Sequence, residues 1–249
     1  MTVTDHLLGP VLREDPARPR ITHYDDATGG RVELSGATLA NWAAKTANWL
    51  RDELDVQPGD GVAVLLPAHW QTAGILLGAW WCGGVVSHDA GGAQVAVCGV
   101  ERLADTADAG EVAAVSLDAL GAGIPVLPPG VRDYAGEVRV HGDEFAPPPL
   151  PATAPATPGA TVEQLVDAAR RRAADVGLAP TDRVLCIAEW DWDPGPLLTV
   201  LAAGASLVQC TGTDPAADPA ALQRRCAQER VTVALGSDLP PLAGVRALR

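Results

Sequence analysis

VQPGDGVAVLL (residues 56–66) and LAPTDRVLCIA (residues 178–188) spell one phrase twice. Each runs apolar residue, spacer, proline, small residue, aspartate, spacer, and then a valine-led apolar stretch. Pro58 matches Pro180, Asp60 matches Asp182 and Val62 matches Val184, all at the same interval. The surroundings repeat as well. SGATLANWAAKTANWLRDEL (35–54) precedes the first copy and TVEQLVDAARRRAADVG (161–177) the second, and both carry apolar residues at helical spacing. Thr161 and Gln164 have the spacing of a capping box, and Gly177 is a natural stop. After each turn come a short apolar strand (62–66, 184–188), a Leu/Ala-rich helix (about 70–82 and 196–203), a glycine (Gly84, Gly204) and a second apolar strand (Val85–Ser87, Ser206–Cys210). A strand–helix–strand crossover within one sheet is parallel. The expected fold is therefore α/β: two pseudo-symmetric parallel-sheet halves with flanking helices, packed as one body.

The rest of the chain fits around that scaffold. ITHYD and RVELS read as an N-terminal hairpin, QVAVCG and EVAAVS as further strands of the first sheet, and VTVAL as a strand of the second. Asp218–Pro219 supplies a cap and first-turn proline for a helix ending near Arg230. Residues 146–161, APPPLPATAPATPGAT, read as extended and proline-rich, unable to supply a buried strand. The expected division is 1–145, a connector at 146–160, and 161–249.

Composition narrows the function classes. The chain has 249 residues, 47% of them hydrophobic, ample for a real core. A net charge of −13 repels phosphate backbones and anionic lipid, so neither nucleic acid nor a membrane surface is expected as a partner. The start, MTVTDHLLGPVLRED, lacks the basic segment and long apolar run of a secretory signal. The apolar run GILLGAWWCGGVV (74–86) is too short and glycine-broken to span a bilayer, and a cytoplasmic location is expected. Cys82, Cys98, Cys186, Cys210 and Cys226 show no C-x-x-C spacing and read as buried, reduced residues.

The ordered set of elements resembles the N-terminal part of the adenylate-forming superfamily: acyl-CoA synthetases, peptide-synthetase adenylation domains and luciferases. The resemblance rests on QPGDGVAVLLP (Gln57–Pro67), GAWWCGGVVSHD (Gly78–Asp89), the G-L-x-P-x-D-R-V-L match at Gly177–Leu185, Leu201–Val208 and Arg230–Val233. It implies two α/β halves related by pseudo-symmetry, so the phrase repeats because the fold does. It also implies a phosphate loop just before Thr161. The corresponding residues, Ala152–Ala160 (ATAPATPGA), hold one glycine and no lysine, and prolines at 151, 155 and 158 lack the N–H groups that cradle phosphate. Thr153, Thr157 and Gly159 are what remains of that loop. The ribose-binding motif and the domain with the catalytic lysine that the resemblance further implies do not fall within these residues. Lys45, on an early helix, cannot be that lysine. No nucleotide cofactor is expected.

Other candidates read more simply. HGDEF (141–145) runs straight into prolines and reads as a solvated turn. Trp42 and Trp49 share a helical face and read as core or contact surface. EWDWDPG (189–195) follows a strand's C-terminal end, where open α/β sheets bind ligands. His88–Asp89 and His69 follow other strand ends. If a ligand cleft exists, Trp70, His88, Asp89, Trp190, Asp191 and Trp192 are expected to converge on it, the tryptophans as walls and His88 or Asp191 at the rim. The alternative is that the tryptophans cap the core as a plug and His88–Asp89 is a solvated loop. Asp191 and Asp193 alone do not make a metal site, and no zinc, G-x-G-x-x-G or Walker spacing is present. The expected protein is a non-catalytic relative of AMP-binding enzymes, a pseudoenzyme serving as a binding or interaction module for a protein partner or a small acyl-type ligand. The alternatives are half of a split adenylating ligase completed by another chain, or an unrelated α/β enzyme using the strand-end carboxylates and histidines.

Overall fold

The computed structural model describes residues 1–190, 193–236 and 239–248. Helix α1 (Val3–Glu14) leads into the hairpin β1 (Pro19–Asp25) and β2 (Gly30–Ser35), then α2 (Gly36–Glu53). The first repeat unit follows as β3 (Gly61–Leu65), α3 (Trp70–Cys82) and β4 (Val85–Ser87), extended by β5 (Val95–Gly99), β6 (Glu111–Val115), β7 (Val131–Asp133) and α4 (Tyr134–Val138). A short ribbon, β8 (Pro155–Thr157) and β9 (Ala160–Thr161), precedes α5 (Val162–Asp175). The second unit is β10 (Arg183–Cys186), α6 (Gly195–Ala202) and β11 (Ser206–Thr211), followed by α7 (Pro219–Gln228), β12 (Val233–Leu235) and β13 (Arg246–Leu248).

Two sheets result, as the repeat predicts. One is parallel throughout, in the order β4-β3-β5-β6-β7; the other runs β13-β12-β10-β11-β1-β2 and is parallel except for β2. The N-terminal hairpin, expected within the first half, is built into the second sheet: β1 pairs in parallel with β11, Ile21 opposite Leu207. Arg20, Ile21, Thr22 and His23 are all buried, so both faces of β1 are covered, as for an interior strand, and β11 pairs with the edge that β2 leaves open. The chain thus enters the second sheet, leaves to build the first, and returns.

The segment 146–161 supplies no buried strand, and within it residues 155–157 pair with residues 160–161. Its prolines do not prevent pairing, because a two-stranded ribbon consists only of edges and proline is tolerated there. Pro155 lies opposite Thr161, and Ala156 between the prolines is buried.

One apolar core runs through both sheets, from Val62 and Val97 of the first to Val184 and Leu207 of the second. Helices α2 and α3 meet so closely that a Cβ on Gly78 would lie 2.5 Å from the Cβ of Thr46. Only glycine permits that approach. Trp49 is fully buried, its indole N–H donated to Glu137, and the nearby Thr46 hydroxyl lies 2.7 Å from that of Tyr134. The HGDEF segment is tied down: Lys45 donates to the His141 carbonyl and pairs with Asp143, and Asn48 donates to the carbonyls of Gly142 and Glu144. All five cysteines are free and buried, and burial pushes the thiols of Cys82, Cys98, Cys186 and Cys210 up to about 11. No helix among the described residues is long and apolar enough to cross a membrane.

Candidate functional site

Parallel strands place their C-terminal ends on one side, and a cavity of about 900 Å³ opens at the ends of β3 and β4. Three helices wall it through faces set by helical spacing: Thr72, Leu76 and Trp80 of α3; Leu165, Ala169 and Arg172 of α5; Gly195, Leu198 and Thr199 of α6. The volume suits a small-molecule ligand.

The sequence places some of the expected residues here and not others. His88, Asp89 and Trp190 line the cavity, as does Thr157 from the ribbon. Trp70 does not. It is buried edge-on to Trp42, ring centroids 5.2 Å apart, and Trp80 on the same helix takes the wall. Trp70 opens α3, whereas Trp80 lies on the helical face that Leu76 and Thr72 also present to the cavity. Thr153 and Gly159 are exposed and outside the wall. Asp191 and Trp192 lie outside the described residues. Arg172 and Thr199 were missed; the signal for Arg172 was its position two turns after Leu165 on one helical face.

His88 is engaged at both ring nitrogens. Nδ1 donates to the Val64 carbonyl at 3.1 Å, and Nε2 accepts from Arg102 at 3.2 Å. Arg102 is itself held by Asp105 at 2.9 Å. No lone pair is left over for general-base work. His69 lies elsewhere: it caps α3 by accepting the Gln71 N–H and packs edge-on against His23, centroids 4.4 Å apart. Burial lowers His69 to about 3, and His23 to about 4, so both rings are neutral. Among the described residues no group of three or more His, Cys, Asp or Glu is placed to hold a metal ion.

The head of α5 is closed by its own chain. The Val162 N–H donates to the Ala154 carbonyl at 2.9 Å and the Glu163 N–H to the Ala152 carbonyl at 3.0 Å. The Gln164 N–H goes to Thr161 Oγ1, and the Gln164 side chain returns to the Thr161 N–H, completing the capping box. Every N–H of the first turn is therefore satisfied before a ligand arrives. A helix start binds anions through free N–H groups, so the residues present do not fit a nucleotide phosphate.

No protein-family model matches the chain. A TIGR03089 family protein of Mycobacterium tuberculosis is 51% identical over 244 residues, covering 93% of this chain and 97% of the relative. An acyl-CoA synthetase of Brucella canis superposes with a TM-score of 0.78 at 19% identity, over 94% of this chain and 47% of its own. The anthranilate CoA ligase AuaEII, solved in complex with anthranoyl-AMP, superposes with a TM-score of 0.75 at 14% identity, over 95% and 49%. The chain thus spans about half the length of these solved structures and has the fold of their N-terminal part. By its likeness to the mycobacterial protein, the chain belongs to the TIGR03089 family.

Proposed function

We propose that this chain is a non-catalytic binding module on the acyl-CoA synthetase fold, with the cavity between α3, α5 and α6 as its ligand site. One observation carries the reading: the first-turn N–H groups of α5 are consumed by the carbonyls of Ala152 and Ala154 and by the Thr161 cap. The doubly engaged His88 supports it, since the imidazole in the cavity wall has no nitrogen free to move a proton.

A second reading, that the chain is one part of a split ligase, is favoured by its spanning about half the length of the solved synthetases. One assay separates the two. The purified chain should catalyse no carboxylate-dependent pyrophosphate exchange across a panel of acids. Exchange by the chain alone would refute the binding-module reading. Exchange that arises only when a second host protein is added would establish the split ligase instead.

A further inference from the structure

We infer that the cavity takes a neutral, largely apolar molecule bearing a carbonyl acceptor, an amide- or ester-type acyl derivative rather than a free carboxylate. This rests on the binding-module reading above and adds the chemical class of the ligand. The first observation is a pair of unused donors. Trp190 and Thr199 both line the cavity and are 3% and 1% exposed, yet the indole N–H and the hydroxyl have no hydrogen-bond partner among the described residues. A buried donor left unpaired is costly, and a carbonyl oxygen from a ligand in the cavity would give such a donor its partner.

The second observation is the charge of the wall. Among the described lining residues the one cation of fixed charge is Arg172, which is largely exposed and lies 4.0 Å from Asp193; Asp89 adds a second carboxylate. A carboxylate carried down to Trp190 and Thr199 would lose its water without gaining a cation, an unfavourable exchange that a neutral carbonyl avoids. An ammonium group is also poorly served there, because the Trp190 N–H can only donate and the Thr199 hydroxyl is a single neutral acceptor for three N–H groups. The remaining wall, including Val64, Leu66, Leu76, Trp80 and Leu198, accepts an apolar chain.

Calorimetric titration of the full chain near neutral pH with decanamide, decanoate and decylamine tests this. Decanamide should bind saturably and about tenfold more tightly than either charged analogue. Thr199→Val and Trp190→Phe should each weaken decanamide by about tenfold, with Thr199→Ser restoring it and thermal unfolding confirming that each variant folds. Decanoate or decylamine binding as tightly as decanamide would overturn the inference while leaving the binding-module reading intact. Unchanged decanamide affinity in both Thr199→Val and Trp190→Phe would overturn it too. Absence of binding by all three probes would overturn the inference and the binding-module reading together.

Discussion

Asp60 and Asp182 hold equivalent turns in the two halves. The Asp60 carboxylate accepts the Gln57 N–H at 2.8 Å, and the Asp182 carboxylate accepts the Ala179 N–H at 2.8 Å. Each backbone carbonyl then receives the strand that returns after the helix: Val85 N–H on Asp60, Ser206 N–H on Asp182. The repeated aspartate is thus a device of folding, closing the turn through its side chain and setting the next strand through its backbone. The copies differ in what else they touch. Asp182 also accepts from the Thr232 hydroxyl and pairs with Arg246, reaching β12 and β13. Asp60→Ala should cost about 1 kcal/mol and Asp182→Ala about 2–3 kcal/mol in denaturant unfolding. Equal losses would show that the additional contacts of Asp182 contribute nothing.

The buried His23–His69 pair makes stability depend on pH. Below the ordinary histidine value of 6.5 the unfolded chain binds a proton at each ring, whereas the folded chain does so only near pH 4 for His23 and near 3 for His69. Stability is therefore full above pH 6.5 and falls as pH drops from there, by up to about 1.4 kcal/mol per pH unit for each ring. Glu229 adds a separate loss at lower pH. Burial would raise it, but hydrogen bonds from Arg31, Tyr24 and Arg183 outweigh that and bring it from 4.5 to about 2. Between pH 6.5 and 4.5 the histidines dominate. Unfolding titrations of a His23→Gln/His69→Asn variant should show most of the slope in that window removed; a slope equal to the parent's would assign the effect elsewhere.

Because β1 pairs with β11, the two halves cannot be separated by cutting the connector. Fragments divided near residue 150 should each fail to fold, the first carrying a hairpin without its β11 neighbour and the second a sheet with an open edge. Mixing the two should restore a single thermal transition. A sharp transition in either fragment alone would contradict the shared core.

Trp80 ties the first half to the ribbon: its indole N–H donates to the Ala156 carbonyl at 2.9 Å across the cavity wall. Trp80→Phe leaves that buried carbonyl unpaired and should cost about 1–3 kcal/mol. Trp190→Ala removes a buried ring without a hydrogen bond to lose, and should cost about 3 kcal/mol through the vacated volume. Chemical denaturation of the two variants measures both. A loss below 1 kcal/mol for Trp190→Ala would mark the ring as a pocket wall that the fold does not need.

Much of this architecture was legible in the residues, and the rest was hidden for physical reasons. The Pro-x-Asp repeat located β3 and β10, and the Thr161/Gln164 spacing located the start of α5, because turn and cap chemistry is local. Helix α1 went unread although Thr2 and Asp5 form a capping box and Val3, Leu7, Leu8 and Val11 share its buried face; Pro10 inside it obscured the pattern. The hairpin β1–β2 was read correctly, but no local signal says which sheet an apolar strand will join. At the site, His88, Asp89 and Trp190 could be placed because they follow strand ends. Trp70 could not be told from Trp80, since α3 is buried nearly all round and its apolar residues give no preferred face. The closed first turn of α5 depends on carbonyls eight residues before Val162 and eleven before Glu163, in neither a strand nor a motif that sequence spacing marks.

The start of α5 has no free N–H with which to bind a phosphate. Calorimetric titration of the purified chain with Mg-ATP, and separately with AMP, tests it most directly. No saturable heat should develop with either nucleotide, because the N–H groups of Val162, Glu163 and Gln164 are already bonded and Ala152–Ala160 holds no lysine. Saturable micromolar binding of ATP would contradict the account.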